Sequence, residues 1–179
     1  MNVSVFLSYP KPYLNRQEEF IKRIITYLYE RGLEPRTLGV SDYDMEAPLA
    51  GIRRLLMESN GLIAVAFRRS YIKEGYCRPN SDISKETDIS DSWLTSPFSQ
   101  IEPAMAFQMG LPVLVLREKG VIPDGVLEKG VLGIYMPEFD LDSNLDDYFN
   151  SCEWNQIIRK WEGYVRKVVE NKGSPKKLY

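Results

Sequence analysis

Glu102 stands at the head of a run of small and apolar residues that ends at Gly110, and no other carboxylate lies in that run. A carboxylate is the usual choice where a developing positive charge needs a partner in a reaction. A second interpretation is structural, because Ser99-x-x-Glu102 has the spacing of a capping box in which Glu102 folds back to the Ser99 amide. The residue types therefore leave two possibilities open for Glu102, a catalytic role or a helix cap.

Pro103 follows Glu102 directly. Proline is best tolerated in the first turn of a helix, so this pair predicts that a helix begins close to Glu102. The positive end of the helix dipole would then lower the pKa of Glu102 and keep its carboxyl group ionised. An ionised carboxylate suits both the catalytic and the capping interpretation.

The chain of 179 residues contains no histidine. This excludes Ser-His-Asp and Cys-His nucleophiles as well as HExxH-type zinc sites, and leaves acid–base work to carboxylates, tyrosines, lysines or cysteines. Cys77 and Cys152 lie far apart and match no metal or redox spacing, so we expect reduced thiols and no metal site. The net charge of −2 indicates neither a nucleic-acid surface nor an anionic-membrane surface.

Short apolar segments alternate with amphipathic segments along the chain. The apolar segments predict five strands, at residues 3–8, 33–38, 62–67, 112–116 and 131–136. The amphipathic segments predict the helices between them, and the alternation predicts an α/β fold: a doubly wound, flavodoxin-like parallel sheet in the order 2-1-3-4-5 with helices on both faces. With 44% apolar residues, the chain fits one domain over residues 1–172 and a tail over 173–179.

Ligands of doubly wound sheets bind beyond the carboxyl ends of the strands, near the switch between the first and third strands. That edge would gather Ser8 and Tyr9, the polar loop 39–47, the polar segment 68–95 and the head of the Glu102 helix. The segment 68–95 is an insertion of a length that usually marks either a functional lid or disorder. The site is therefore predicted from topology before any motif is considered.

Several residues at this edge are candidate substrate contacts. Each has a structural alternative: Ser8 as a turn former, the loop acids as solvated charges, Arg68 as half of a solvated pair with Arg69, and Trp93 as a hydrophobic anchor of the insertion. In the binding interpretation, Arg68 would meet a pyrophosphate and Trp93 would stack on a base. The candidates are Phe6, Ser8, Tyr9, Asp42, Asp44, Met45, Arg68 and Trp93.

The motifs VFLSY, a polar loop after the second strand, and TSPFSQIE before a small-residue helix together resemble a TIR (Toll/interleukin-1 receptor) domain. TIR enzymes read S-x-x-W-C-x-x-E at the last of these motifs. Thr95 replaces the serine, Phe98 replaces the tryptophan and Ser99 replaces the cysteine. The resemblance makes Glu102 the catalytic residue, with Phe98 and Ser99 beside the substrate.

The same stretch is similar to nucleoside 2-deoxyribosyltransferases, which read roughly D-S-G-T-x-x-E-x-G-x-A and then G-x-P-V. Ser99 matches their threonine and Ala106 their alanine, while Gly110 and Pro112 complete the turn into the strand. Ser96 stands where these enzymes have an aspartate. Both resemblances imply cleavage of an N-glycosidic bond with a glutamate at this position.

The TIR resemblance implies cleavage of NAD, as substrate and not as cofactor, to nicotinamide and ADP-ribose or a cyclic isomer. Nicotinamide is cationic before cleavage and needs no general acid to leave, so the absence of histidine favours NAD slightly. Stand-alone bacterial TIR proteins of this kind resemble signal-producing components of anti-phage defence systems such as Thoeris. The resemblance therefore implies self-association on activation and a product read by a separate effector protein.

Two alternatives remain open at this point. A nucleoside 2-deoxyribosyltransferase or nucleotide N-glycosidase would use the same chemistry on free nucleosides or nucleotides without NAD. A non-catalytic TIR-like scaffold would use Glu102 only as a cap. In every case we expect a soluble cytoplasmic protein, because the N-terminus lacks a basic signal-peptide region and no stretch approaches the roughly 20 apolar residues of a membrane span.

Overall fold

The computed structural model of the chain describes residues 3–42, 45, 47–132 and 134–171. The helices are α1 (Asn15–Glu30), α2 (Pro48–Glu58), α3 (Phe98–Gln108), α4 (Leu145–Phe149) and α5 (Cys152–Glu170), with a short 3-10 helix at Gly125–Leu127. The strands are β1 (Val3–Ser8), β2 (Leu33–Arg36), β3 (Leu62–Ala66), β4 (Ser70–Ile72), β5 (Tyr76–Cys77), β6 (Thr87–Asp88), β7 (Ser92–Leu94), β8 (Val113–Arg117) and β9 (Ile134–Tyr135). None of the described helices is both long and apolar enough to cross a membrane.

The strands β2, β1, β3 and β8 lie side by side in that order, and each neighbouring pair is parallel. The prediction of an α/β fold with a parallel sheet is confirmed for these four strands. β9 pairs parallel with β8 but has only two residues, whereas the sequence predicted a strand over residues 131–136. That prediction was too long because the Val131 amide donates to the Glu128 carbonyl at 3.3 Å, which places Val131 in a turn.

β2 ends two residues earlier than predicted because Thr37 begins a tight turn. The Thr37 carbonyl accepts hydrogen bonds from the amides of Val40, Ser41 and Asp42 at 3.0 to 3.2 Å. These three bonds use backbone groups that would otherwise continue the strand. The loop 37–42 is therefore closed by its own hydrogen bonds at the carboxyl edge of the sheet.

Alternate residues of β1 pack against opposite helix layers, as the two-residue period of a strand requires. Val5 and Leu7 belong to the core formed with α1 and α5, and Phe6 belongs to the core formed with α2 and α3. By the same period Ser8 lies on the face of α2 and α3, and Tyr9 packs against the core of α1 and α5. The end of β1 thus presents one residue to each side of the sheet.

The insertion predicted over residues 68–95 is a folded β-hairpin, which we call the arm (residues 70–94). β4 pairs antiparallel with β7, and β5 pairs antiparallel with β6. The root is tied to the chain after β8: the Trp93 amide donates to the Gly120 carbonyl, and the Ile122 amide donates to the Trp93 carbonyl, both at 2.9 Å. Backbone pairing at the root, together with the packing of Trp93 against the core of α2 and α3, holds the arm in place.

Candidate active site

α3 begins a full turn before Glu102, so the predicted helix start was wrong. The Ser99 amide donates to the Ser96 carbonyl at 2.9 Å, and the Phe98 amide donates to the Ser96 hydroxyl at 3.3 Å. Since the Ser99 amide already has this partner, Glu102 does not close a capping box with it. Glu102 is the fifth residue of the helix, and Pro103 is inside the helix.

Glu102 is buried, with 9% of its surface exposed, and it faces the end of β1. Burial raises the pKa of Glu102 from 4.5 to about 7, and the hydroxyl of Ser8 opposes that rise by hydrogen bonding to the carboxyl group. The predicted lowering of this pKa by the helix dipole was wrong, because the dipole acts mainly within the first turn and Glu102 lies in the second. Desolvation of the charged form is the dominant effect.

The surroundings of the carboxyl group on the sheet are small. Ser8 is in register with Ala64 of the neighbouring strand β3, and Ala66 follows on the same face two residues later. Both alanines are fully buried in the core beneath α3. Small apolar neighbours desolvate Glu102 without offering a charge that would fix its protonation state.

A carboxyl group with a pKa of about 7 is present in both forms at neutral pH. The ionised form can stabilise a cationic sugar or attack it, and the protonated form can donate a proton to a leaving base. A cationic substrate placed beside Glu102 would favour the ionised form. The site therefore provides acid–base chemistry from one residue in a chain without histidine.

The residues predicted next to Glu102 on α3 differ in exposure. Phe98 lies four residues before Glu102, hence on the same side of the helix, and 40% of its surface is exposed. Ser99 is buried, and its hydroxyl lies 3.4 Å from that of Thr95. Phe6 is buried in the core of α2 and α3 and does not reach the surface. Phe98 is thus the aromatic side chain of this motif that a ligand could touch.

Tyr9 packs on the face of β1 opposite to Glu102, whereas Leu38 of the loop after β2 packs against the core of α2 and α3. Burial raises the pKa of Tyr9, and a hydrogen bond with the Thr37 hydroxyl lowers it by a smaller amount. Asp42 accepts a hydrogen bond from Arg36 Nε at 3.1 Å, and this interaction lowers the pKa of Asp42. Met45 is fully exposed, and Asp44 lies outside the described residues.

Arg68 is held in a polar network at the ends of β3 and β8. Its Nε donates to the Lys119 carbonyl at 2.6 Å and lies 3.7 Å from Glu118 Oε1. Its guanidinium carbon lies 5.7 Å from the centroid of the Trp93 ring, and the Tyr71 ring lies 5.0 Å from the same ring. These contacts favour Trp93 as the anchor of the arm, the alternative left open by the sequence.

Sequence reasoning missed Glu118, a second buried carboxylate at this edge. Burial raises the pKa of Glu118, and the Arg68 amide opposes the rise by donating to Oε2 at 2.7 Å. Gln17 is fully buried beside it and donates to the Arg68 carbonyl at 3.3 Å. The signal was available, because Glu118 directly follows an apolar strand, where functional carboxylates of parallel sheets are found.

The described residues contain no group of three or more Cys, Asp and Glu side chains arranged to hold a metal ion. A surface pocket of about 690 Å³ lies between the C-terminal end of α3 and α5, and its lining includes Pro112 and Tyr164 but not Glu102. Pro112 precedes β8, so this pocket is at the edge of the sheet opposite to the candidate site.

The sequence matches no family model, and no characterised protein sequence is significantly similar to it. Several solved structures resemble the fold, among them the following three. The CMP N-glycosidase BcmB of Clostridium botulinum is 16% identical with a TM-score of 0.48, over 88% of this chain and 98% of that one. The TIR domains of the activated Roq1 resistosome, which recognises the pathogen effector XopQ, are 12% identical with a TM-score of 0.41, over 94% and 84%. The constitutive lysine decarboxylase of E. coli is 12% identical with a TM-score of 0.45, over 96% of this chain and 18% of that one. Because these TM-scores lie below 0.5, the similarities do not indicate the family, substrate or mechanism of this chain.

Proposed function

We propose that the chain cleaves the N-glycosidic bond of a nucleotide, with Glu102 as the catalytic residue. The observation that supports this is the burial of Glu102 against Ser8, at the carboxyl edge of the central strands, without the backbone partner of a helix cap. A buried carboxyl group whose partner is a neutral hydroxyl and not a cation is costly to the fold, and such groups are found where chemistry requires them.

NAD is the proposed substrate. The bond from ribose C1 to the nicotinamide nitrogen breaks, its electron pair leaves with nicotinamide, and ionised Glu102 stabilises the cation left on the ribose. Water then attacks C1 to give ADP-ribose and loses its proton to Glu102, or a nucleophile of the same molecule attacks to give a cyclic isomer. The TIR-like pattern TSPFSQIE and the absence of histidine support this choice.

One observation favours a second candidate, a nucleotide N-glycosidase or nucleoside 2-deoxyribosyltransferase. A neutral base such as cytosine leaves more readily when it is protonated, and a Glu102 with a pKa of about 7 can supply that proton at neutral pH. The resulting carboxylate would then stabilise the ribosyl cation. The two candidates therefore require opposite protonation states of the same residue.

The remaining part of the proposal concerns assembly. The TIR-like motifs support self-association as the activating step, with the product acting as a signal, in anti-phage defence, for a separate effector protein. Apolar residues are exposed on α3 and on the arm, among them Leu94, Phe98 and Ile101. Burial of such residues between copies would exclude water from the reacting ribose.

The test is a comparison of the chain with Glu102→Gln and Glu34→Gln, each incubated at high concentration with NAD, CMP or a nucleoside mixture. Chromatography and mass spectrometry identify the products. We expect nicotinamide release by the chain and by Glu34→Gln, whose exposed carboxylate is the matched control, and none by Glu102→Gln. Release of free base from CMP or nucleosides alone would establish the second candidate. Nicotinamide release that survives in Glu102→Gln would contradict the proposal.

A further inference from the structure

A groove of about 680 Å³ opens at the same edge of the sheet as Glu102 but on the α1 side. Its walls are the chain that follows β1, the N-terminal half of α1 and the loop 37–42. We call it the α1 groove. Its volume is within the range of about 300–1,000 Å³ that is typical of small-molecule sites.

Most apolar residues of the α1 groove, namely Tyr9, Ile21 and Ile25, pack on the face of β1 opposite to Glu102, whereas Leu38 packs against the core of α2 and α3. Ser8, which contacts Glu102, and Tyr9, which lines the groove, are consecutive residues of an extended chain and point to opposite sides. Glu102 is not among the residues that line the groove. A ligand in the groove would therefore be shielded from the reacting carboxylate by the strand itself.

The lining of the α1 groove combines an apolar floor with basic side chains. Tyr9, Ile21 and Leu38 are buried or half-buried and supply apolar contacts to a planar ring. Lys11 and Lys22 are exposed at the groove, and neither forms an ion pair within the part of the chain that the structure describes. Two such ammonium groups suit a phosphate.

Glu18 also lines the α1 groove, one helical turn before Lys22. A carboxylate at this place disfavours a second phosphate but accepts hydrogen bonds from sugar hydroxyls or an exocyclic amine. A ring, hydroxyl or amine donors and one phosphate are the features of a nucleoside monophosphate. The residues therefore select this class over a dinucleotide with several charges or an uncharged nucleoside.

We propose that the α1 groove is a second binding site, for a nucleoside monophosphate, and that its occupancy changes turnover at the Glu102 site. Binding in the groove does not depend on the proposed function, and only the regulatory role rests on it. The loop 37–42 connects the two regions. Its Leu38 and Val40 line the groove, and its Asp42 binds Arg36, which also binds Glu58 at the end of α2.

The connection to Glu102 runs through hydrogen bonds and packing. The Tyr9 hydroxyl bonds to Thr37, whose own hydroxyl donates to the Leu7 carbonyl at 2.8 Å. At the other end of the loop, Arg36 binds Asp42 and donates to Glu58 at 2.6 Å, at the end of α2. α2 packs against α3, the helix that positions Glu102. A ligand that fixes the loop 37–42 therefore acts on both helices of the catalytic face.

The binding test uses the full chain carrying Glu102→Gln, so that no turnover interferes, with AMP, adenosine and inorganic phosphate as calorimetric probes. We expect AMP to bind about tenfold or more tightly than adenosine or phosphate, since each half adds contacts. Lys11→Ala with Lys22→Ala should weaken AMP binding about tenfold, whereas Lys73→Ala, an exposed lysine of the arm, should not change it. AMP affinity that is absent, or unchanged by the two lysine substitutions in a protein of normal thermal stability, would overturn the proposal.

The regulatory test uses the chain with its natural Glu102 and the substrate that it turns over. AMP should change kcat at saturating substrate, and the Lys11→Ala, Lys22→Ala variant should lose this response while keeping its basal rate. If AMP raises only KM and the lysine variant raises KM by itself, the groove belongs to the substrate site and a second site is refuted. Failure of the proposed function would leave the calorimetric result standing, so the two outcomes are distinguishable.

Discussion

The Ser8 hydroxyl, at the end of β1, hydrogen bonds to the Glu102 carboxyl group, in the second turn of α3. This contact joins two residues that are 94 positions apart in the chain. Without it, burial alone would act on the carboxyl group and raise its pKa further. Ser8 therefore adjusts how much of Glu102 is ionised near neutral pH.

The pH dependence of kcat/KM should show an inflection near pH 7, because Glu102 has a pKa of about 7. With NAD the rate should rise through this pH, since the ionised form stabilises the ribosyl cation. With a nucleotide whose neutral base must be protonated, the rate should fall through it. In Ser8→Ala the inflection should move to higher pH in either case, because the hydrogen bond that lowers the pKa is lost.

The control for this profile is Ser84→Ala, an exposed hydroxyl on the arm, which should leave the inflection in place. An inflection that Ser8→Ala does not move, while the Ser84→Ala profile matches that of the unchanged chain, would show that another group titrates. Glu118 is the group to examine in that event, since burial also raises its pKa.

The unfolding free energy of Glu102→Gln, measured relative to that of the unchanged protein, should increase as pH rises from 5 to 8. The folded pKa of about 7 lies above the unfolded value of 4.5, so the folded state holds a proton that the unfolded state releases in this range. Stability of the unchanged protein therefore falls as pH rises through this interval. The difference in unfolding free energy between the two proteins should change by about 2–3 kcal/mol between pH 5 and pH 8.

Urea denaturation at both pH values measures this difference, with Glu34→Gln as the control for loss of an exposed carboxylate. Any fixed effect of the glutamine amide is the same at both pH values and cancels. A difference that stays constant between pH 5 and pH 8 would mean that Glu102 is ionised in the folded protein at pH 5.

The four central strands of the sheet were predictable because their apolar runs are continuous and are bounded by turn residues. The start of α3 was not predictable, because the sequence carries two competing signals. Pro103 favours a helix that begins close to Glu102, whereas Ser96-Pro97 favours one that begins a turn earlier. Proline in the second turn removes only one backbone donor, the one that would bond the Ser99 carbonyl, so the sequence alone allowed both registers. In the register that the protein adopts, the Phe98 amide donates to the Ser96 hydroxyl at 3.3 Å and the Ser99 amide to the Ser96 carbonyl at 2.9 Å.

The position of Glu102 at the carboxyl edge of the sheet followed from topology, but its protonation did not. Its pKa depends on packing against β1 and β3, which end at least 36 residues earlier in the chain. Phe6 was a candidate contact because it is near the end of β1, yet it lies two residues below Ser8 on the same face and is covered. Distance along a strand, and not only its facing direction, decides whether a side chain reaches the ligand.

Trp93→Ala should loosen the arm. The Trp93 ring packs against the core of α2 and α3, beside the Tyr71 ring and the Arg68 guanidinium, and its removal leaves these contacts empty. We expect a loss of about 2 kcal/mol in unfolding free energy and faster hydrogen exchange across residues 70–94. Trp93→Phe is the matched control, because it keeps an aromatic ring at the root. Unchanged exchange in Trp93→Ala would show that backbone pairing alone holds the arm.

The contact between the start of β3 and α5 leaves no room for a side chain at Gly61. A Cβ atom there would lie 2.6 Å from Val165 Cγ2 and 3.3 Å from atoms of Pro112 and Trp161, and Val165 and Trp161 are packed in the core. Gly61→Ala should therefore lower the unfolding free energy by about 1–3 kcal/mol. Gly163, on the exposed side of α5, has no atom within 4 Å of its Cβ position, so Gly163→Ala should raise the unfolding free energy by about 0.5–1 kcal/mol through helix propensity. The urea midpoints of both variants are compared with that of the unchanged protein. A Gly61→Ala midpoint equal to that of the unchanged protein would mean that α5 packs less closely on β3 than these distances indicate.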